Sequence, residues 1–508
     1  MQKSLWEIES ASASQATTHA VHSFASSAKT AAATPQEARA ALYECFAQRI
    51  QHNPALDRSL VSFQANKGVA FSSWFKYREG FSESLVAYLL RQLHPRPGRL
   101  LDPFAGGGSS LFAAAELGWE TDGIEVLPVG IYAMRARMVA VGVDVAAFKA
   151  AAAVARSLDF EDYYDDRFAF KHIAITRGAY PPAEERQLTG YLAYCHHQLA
   201  DEQVRKLMEY AAFCVLEDMS YTRKDGQYLR WDARSGRSAG KRPFNKGRIV
   251  PFREALFAKL RQMADDLDAG IVQEALFNGT SHQAAGPGRL AIHEGSCLNL
   301  LPTLEPDAFD FILTSPPYAN RYDYTRTYAL ELVFVGQSAD EVKHLRQTML
   351  SCTVENRDKR AQLGRYYAEL GRPEDFQMID ATFQRQAALH EVLGILDCYR
   401  EGGTLNNGNI ARLVRNYFYE ICCVVHGLAR VLRPGGIVAM VNDNVRYAGE
   451  EVPVDLILSD FAESFGLTVR HIWTLGRGKG NSSQQMGSHG RTELRKCVYI
   501  WEKSQRGS

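Results

Sequence analysis

The stretch Arg99-Leu100-Leu101-Asp102-Pro103-Phe104-Ala105-Gly106-Gly107-Gly108-Ser109-Ser110-Leu111-Phe112-Ala113-Ala114-Ala115 changes character twice. A short apolar run breaks at Pro103 into a glycine-rich turn, and an alanine-rich segment follows, which reads as strand, tight turn and helix. A second strand over 120–124 ends on Glu125, and a helix over 129–141 follows it. This βαβα opening predicts a doubly wound α/β sheet. Further strand patterns at 290–293, 309–313, 437–441, 467–475 and 496–501 bring the expected strands to seven, and helices are expected over 81–93, 410–432 and 454–465.

The strands are not evenly spaced. The chain divides into a tail (1–33), N-terminal helices with the first half of the sheet (34–145), a largely helical insertion (146–288), a strand segment (289–330), a second insertion (331–409) and the rest of the sheet (410–508). Thr34-Pro35-Gln36-Glu37 has capping-box spacing, and the helix that it opens is expected to run to about Ile50. The tail, rich in Ala, Ser and Thr, is read as disordered.

Composition narrows the function classes. The 508 residues carry 58 basic and 58 acidic side chains, 46% hydrophobic residues and 23% charged ones, as in an ordinary soluble domain. No apolar run reaches the roughly 18 residues of a membrane span, and the start of the chain lacks the pattern of a signal peptide, so a cytoplasmic protein is expected. Nine cysteines without a Cys-x-x-Cys pair argue against a disulfide framework, and no histidine spacing suggests a metal.

The glycine turn lets backbone approach a ligand closely, and Glu125 at the tip of the next strand is suited to accept hydrogen bonds from ribose hydroxyls. A tight turn of any α/β protein would look similar. The spacing of a phosphate loop is missing, which disfavours a nucleoside triphosphate. Asp102, at the end of the first strand, suits a cofactor with a cationic ammonium or sulfonium, and S-adenosylmethionine carries both. Asp102-Pro103-Phe104-Ala105-Gly106-Gly107-Gly108 resembles the cofactor loop of the amino-methylating DNA methyltransferases. Thr314-Ser315-Pro316-Pro317-Tyr318, after the fourth strand, resembles their catalytic motif, although two prolines also stop a strand. Serine in this motif is similar to the cytosine-N4 branch, whereas the adenine-N6 branch has Asp or Asn there.

The resemblance implies a Rossmann-like methyltransferase sheet with its last strand antiparallel and two largely helical insertions. It implies S-adenosylmethionine as cofactor, held by Phe81, Ser82, Asp102, Phe104, Ala105, Gly106, Gly108, Glu125, Ser296, Cys297 and Thr314. It implies a catalytic unit of Ser315, Pro316, Pro317 and Tyr318: Ser315 and the Pro316 carbonyl position the target amino group, and Tyr318 stacks on a base flipped out of double-stranded DNA. A cognate restriction or defence partner is implied as well. Adenine-N6 or RNA amino-methylation, or a non-catalytic DNA-binding protein on the same fold, are the competing readings. Glu341-Val342-Lys343 is too short a match to carry a fused endonuclease.

Recognition is expected in the insertions. Segment 223–248 holds nine basic residues against two acidic ones, with Tyr228, Trp231 and Phe244 interleaved, which suits phosphate contact and base stacking. Arg223, Lys224, Arg230, Arg234, Arg237, Lys241, Arg242 and Lys246 are its candidate nucleic-acid contacts. Arg321 and Tyr322 follow the catalytic motif and are expected at the base pocket. Arg477, Lys479, Asn481 and Gln485, between the last two strands, are candidates to read DNA.

Overall fold

The computed structural model describes residues 37–225, 228–237, 243–278, 288–475 and 494–505. The expected tail and the Thr34 cap lie outside the described residues, as do Lys241, Arg242, Arg477, Lys479, Asn481 and Gln485. One eight-stranded sheet organises the rest: β1 (Ile50–His52), β2 (Arg99–Asp102), β3 (Glu120–Glu125), β4 (Leu290–Glu294), β5 (Phe309–Thr314), β6 (Leu432–Asp443), β7 (Leu467–Thr474) and β8 (Lys496–Lys503). The strand order is β4-β3-β2-β5-β6-β8-β7-β1. β8 runs antiparallel to both of its neighbours, and every other pairing in this sheet is parallel.

All seven expected strands are present. The eighth, β1, pairs Ile50 with Ile472 at the sheet edge, where the sequence pattern suggested the end of a helix. The helix Glu37–Phe46 instead tightens into a 3-10 turn at Ala47–Arg49 and then extends. Three residues are too few to show a period of two.

Helices cover both faces, so the inner strands are apolar nearly throughout. Leu100, Phe311, Leu313, Ala439 and Val441 pack against α1 (Glu83–Leu93) and α2 (Ser109–Glu116). The alternate residues Leu101, Ile312, Val438 and Met440 face α4 (Ile410–Val431) and α5 (Val454–Ser464). Almost every residue of α4 is buried, because the sheet lies on one side of it and the helices between Arg360 and Glu401 of the second insertion lie on the other. A third core joins α3 (Pro128–Ala140) to the first insertion and to residues 328–349, which run from the end of the strand segment into the second insertion. The segment 331–409 is thus divided between two cores. Its Glu341 completes a capping box with Ser338 at the start of the helix Ala339–Thr348, a structural task for the acidic residue of the Glu-x-Lys triplet.

The basic interruption of the first insertion is an antiparallel ribbon, Thr222–Asp225 paired with Tyr228–Trp231. Strand order reverses between β2 and β5, and in open α/β sheets ligands bind at the carboxyl ends of the strands beside such a point.

Close packing there makes one test. A Cβ added at Gly130 of α3 would lie 2.3 Å from the Gly106 carbonyl oxygen, so Gly130→Ala should destabilise the fold by about 1–3 kcal/mol. A lowered urea midpoint is the expected outcome; an unchanged one would mean that α3 does not brace the glycine turn.

Candidate active site

A cavity opens over the carboxyl ends of β2, β3 and β5, with about 750 Å³ of space including its mouth. One wall is the glycine turn. Gly106 has φ +56° and a Cβ there would meet the Tyr77 ring at 2.9 Å, while Gly108 has φ +83° and no room beside Met134 and Phe112. Any side chain at either position would displace the turn that starts α2.

Two buried carboxylates define the floor. Asp102 accepts hydrogen bonds from the Phe104 amide (3.0 Å), the Thr314 hydroxyl (2.7 Å) and the Ser110 hydroxyl. Burial raises its pKa to about 6 against the effect of these bonds. Glu125 accepts from the amides of Gly106 (2.6 Å), Val126 (2.9 Å) and Leu127 (2.7 Å), and burial lifts it to about 7. Each carboxylate keeps acceptor capacity for a ligand, since a carboxylate has about four lone-pair sites.

Ser315 and Pro317 supply the opposite wall. The Ser315 hydroxyl donates to the Tyr318 phenol oxygen at 3.4 Å. Burial holds the Tyr318 phenol well above its ordinary pKa, so it stays protonated. The Tyr447 hydroxyl donates to the Ala319 carbonyl and braces the turn from behind.

Of the expected cofactor residues, Phe81, Asp102, Phe104, Ala105, Gly106, Glu125, Ser296 and Cys297 line the cavity. Ser82 does not: it caps α1, accepting from the Leu85 amide at 3.1 Å. Gly108 shapes the turn from behind, and Thr314 reaches the cavity only through its bond to Asp102. Pro316 and Tyr318 lie behind Ser315 and Pro317 rather than on the cavity surface. Tyr77, Glu79, Leu127, Met349 and Leu350 also line it and were not singled out from sequence. Tyr77 and Glu79 lie in the stretch before α1 whose end, Phe81 and Ser82, drew attention instead. Met349 and Leu350 come from the second insertion, held by Glu420 of α4, which accepts from the Ser351 amide (2.8 Å) and Lys359 (2.8 Å). No local pattern announces such a contact.

The basic segment is corrected more heavily. Lys224 is buried in an ion pair with Glu331 at 2.5 Å. Arg237 donates to the carbonyls of Ala174 and Arg177 and lies over the Trp231 ring. Lys246 donates to the carbonyls of Glu217 and Ser220. Arg234 is paired with Asp232 and donates to the Gly247 carbonyl. An irregular segment must satisfy its own backbone carbonyls, and these cations do so. Arg223 is exposed, and Arg230 is partly so, beside Asp225 at 3.2 Å. Arg321 adopts φ +67° and donates to Asn406, and the Tyr322 ring packs edge-on against Tyr324, which does line the cavity.

The pKa of Glu125 sets a pH signature. The folded protein holds its proton up to about pH 7, whereas the unfolded chain releases it near 4.5, so this group's contribution to stability is fully present below 4.5 and is lost as pH rises to 7. Glu125→Gln should remove that loss, worth on the order of 3 kcal/mol for a rise from 4.5 to about 7. A difference between wild type and variant that stays constant from pH 4.5 to 7 would contradict the assignment.

No family model matches the chain, and no solved structure does. Curated relatives match it over almost its full length. It is 41% identical over 479 residues to Type II methyltransferase M.AvaI of Nostoc sp. strain PCC 7120, covering 91% of this chain and 92% of that protein, and equally to its Anabaena variabilis counterpart. It is 36% identical over 488 residues to Type II methyltransferase M.BsoBI of Geobacillus stearothermophilus, covering 92% of each. The alignments therefore run through the insertions as well as the sheet, and the chain belongs to the Type II methyltransferases, the site-specific DNA methyltransferases.

Proposed function

We propose that the protein transfers a methyl group from S-adenosylmethionine to the exocyclic N4 of cytosine, in a target base flipped from double-stranded DNA, as the modification half of a restriction–modification or phage-defence pair. The observation that carries this reading is the Thr314–Asp102 bond at 2.7 Å. It joins the catalytic motif to the cofactor loop across adjacent strands, so that both serve one cavity.

The donor set fits the cofactor. Asp102 is suited to its cationic end, Glu125 to the ribose hydroxyls, and Phe104 and Leu127 give apolar surface beside them. When bound, S-adenosylmethionine supplies an electrophilic methyl group. The chain's task is to present the amine. The lone pair of an exocyclic amino group is delocalised into the base, so acceptors around its protons are needed to localise it. The Ser315 hydroxyl donates its hydrogen bond to Tyr318, which leaves its lone pairs free to accept from the amine; the Pro316 carbonyl, which the resemblance makes the second acceptor, belongs to a residue behind the cavity surface. Serine is neutral and a poor base, so the proton leaves to water. An Asp or Asn at this position would suit the adenine-N6 branch, and Ser315 supports N4 by the same resemblance.

The first insertion is proposed to recognise DNA through the ribbon, whose Arg223 and Arg230 face each other across its two strands. A two-stranded ribbon fits the major groove.

The direct test is incubation with methyl-labelled S-adenosylmethionine and either unmodified DNA or total RNA, followed by mass spectrometry of the nucleosides. Labelled N4-methylcytosine is expected; labelled N6-methyladenine would overturn the reading of Ser315, and label in RNA alone would overturn the DNA substrate. Ser315→Ala should lower kcat about 10- to 1000-fold with cofactor affinity retained, and full turnover would remove Ser315 from the chemistry. Arg223→Ala with Arg230→Ala should reduce the log–log salt slope of DNA affinity by about 2, whereas Arg237→Ala should lower stability instead. An unchanged slope in the double variant would move recognition away from the ribbon.

A further inference from the structure

The two faces of the ribbon do different things. Along its first strand, Arg223 and Asp225 point outward, while Lys224 between them is turned inward and only 3% exposed. The Lys224 ammonium meets Glu331, itself 1% exposed, and lies 4.4 Å above the Tyr328 ring. Tyr328 stacks on Tyr77 at 5.2 Å, and its hydroxyl donates to Glu79 and accepts from the Arg78 amide at 3.0 Å. Tyr77 and Glu79 line the cavity. The Arg78 side chain closes the circuit, donating to the Lys224 carbonyl (2.5 Å) and to Glu217 (2.9 Å), which also accepts from the Lys224 amide. A continuous set of contacts therefore runs from the back of the proposed DNA-reading ribbon to the cavity wall.

The arrangement is expensive for stability. Burying two charges loses hydration that their attraction seldom restores in full, and apolar replacement of such a pair is often neutral or stabilising. The Glu331 Oε2 atom, moreover, has no hydrogen-bond partner among the described residues. On the outer face, Arg223 sits directly opposite Arg230, a like-charge pairing that is unfavourable in an isolated ribbon; Asp225 pairs with Arg230 at 3.2 Å, and Arg223 is left exposed for an anionic partner. Phosphate contact thus acts on the outer face of the same strand whose inner face holds the ion pair.

We infer that Lys224 and Glu331 are positioning residues that couple DNA binding on the ribbon to cofactor binding in the cavity, so that each ligand tightens the other. The inference rests on the S-adenosylmethionine reading of that cavity. Linkage makes such coupling reciprocal, so it can be read from the cofactor side alone.

The test measures S-adenosylhomocysteine affinity of the full chain, alone and saturated with a duplex that contains the sequence the enzyme labels. In the wild type the duplex should raise affinity about fivefold or more. Lys224→Met with Glu331→Met removes both charges together and so leaves neither orphaned. It should bind S-adenosylhomocysteine alone within about threefold of wild type, but gain less than about twofold from the duplex. Lys224→Arg, which keeps the charge, should retain the gain. Should the double variant fail to fold, Tyr328→Phe, which removes only the hydroxyl that ties Glu79 to the ring, should also diminish it. A gain that persists undiminished in the double variant or in Tyr328→Phe, or one that is absent from the wild type, would overturn the inference. No binding of S-adenosylhomocysteine to the wild type would overturn the cofactor reading as well, which separates the two failures.

Discussion

Everything at the site depends on β2 and β5 lying side by side in parallel register, Leu100 opposite Phe311 and Leu101 opposite Ile312. That register brings Asp102 and Thr314, the last residues of the two strands, within one hydrogen bond of each other. The residues after Asp102 turn one way into the glycine loop, and those after Thr314 turn the other way into Ser315 and Pro317. Two segments more than 200 residues apart in sequence thereby line one cavity. Proline at 103 and prolines at 316 and 317 stiffen both exits from the sheet, so little conformational freedom remains to be lost when ligands arrive.

The insertions complete that arrangement as well as decorating it. The loop at 349–351 is fixed by Glu420, a carboxylate buried in α4, and delivers Met349 and Leu350 to the cavity. Tyr328, just beyond the catalytic motif, stacks on Tyr77. The second insertion therefore supplies part of the cavity wall, while the ribbon of the first presents Arg223 to solvent.

How much of this was legible follows from how local each signal is. Buried parallel strands are apolar runs closed by glycine or proline, so 99–102 and 309–313 could be read directly, and the loop residues that depend on them came with them. The edge strand at Ile50 could not, because it has three residues and its pairing partner lies more than 400 residues away. Ser82, which the resemblance puts at the cofactor, instead caps α1. The basic segment misled because charge content does not reveal direction: Lys224, Arg237 and Lys246 turn inward to a carboxylate and to backbone carbonyls, where their donors are needed more than in solvent. Tyr77, Met349 and Leu350 reach the cavity through tertiary contacts that no spacing encodes.

The central claim is that one cavity holds the cofactor against Ser315. A crystal structure with S-adenosylhomocysteine tests it most directly. The account predicts the ribose hydroxyls on Glu125, the amino group near Asp102 and the thioether sulfur facing Ser315 and Pro317. A ligand bound elsewhere, or one whose sulfur points away from Ser315, would contradict it.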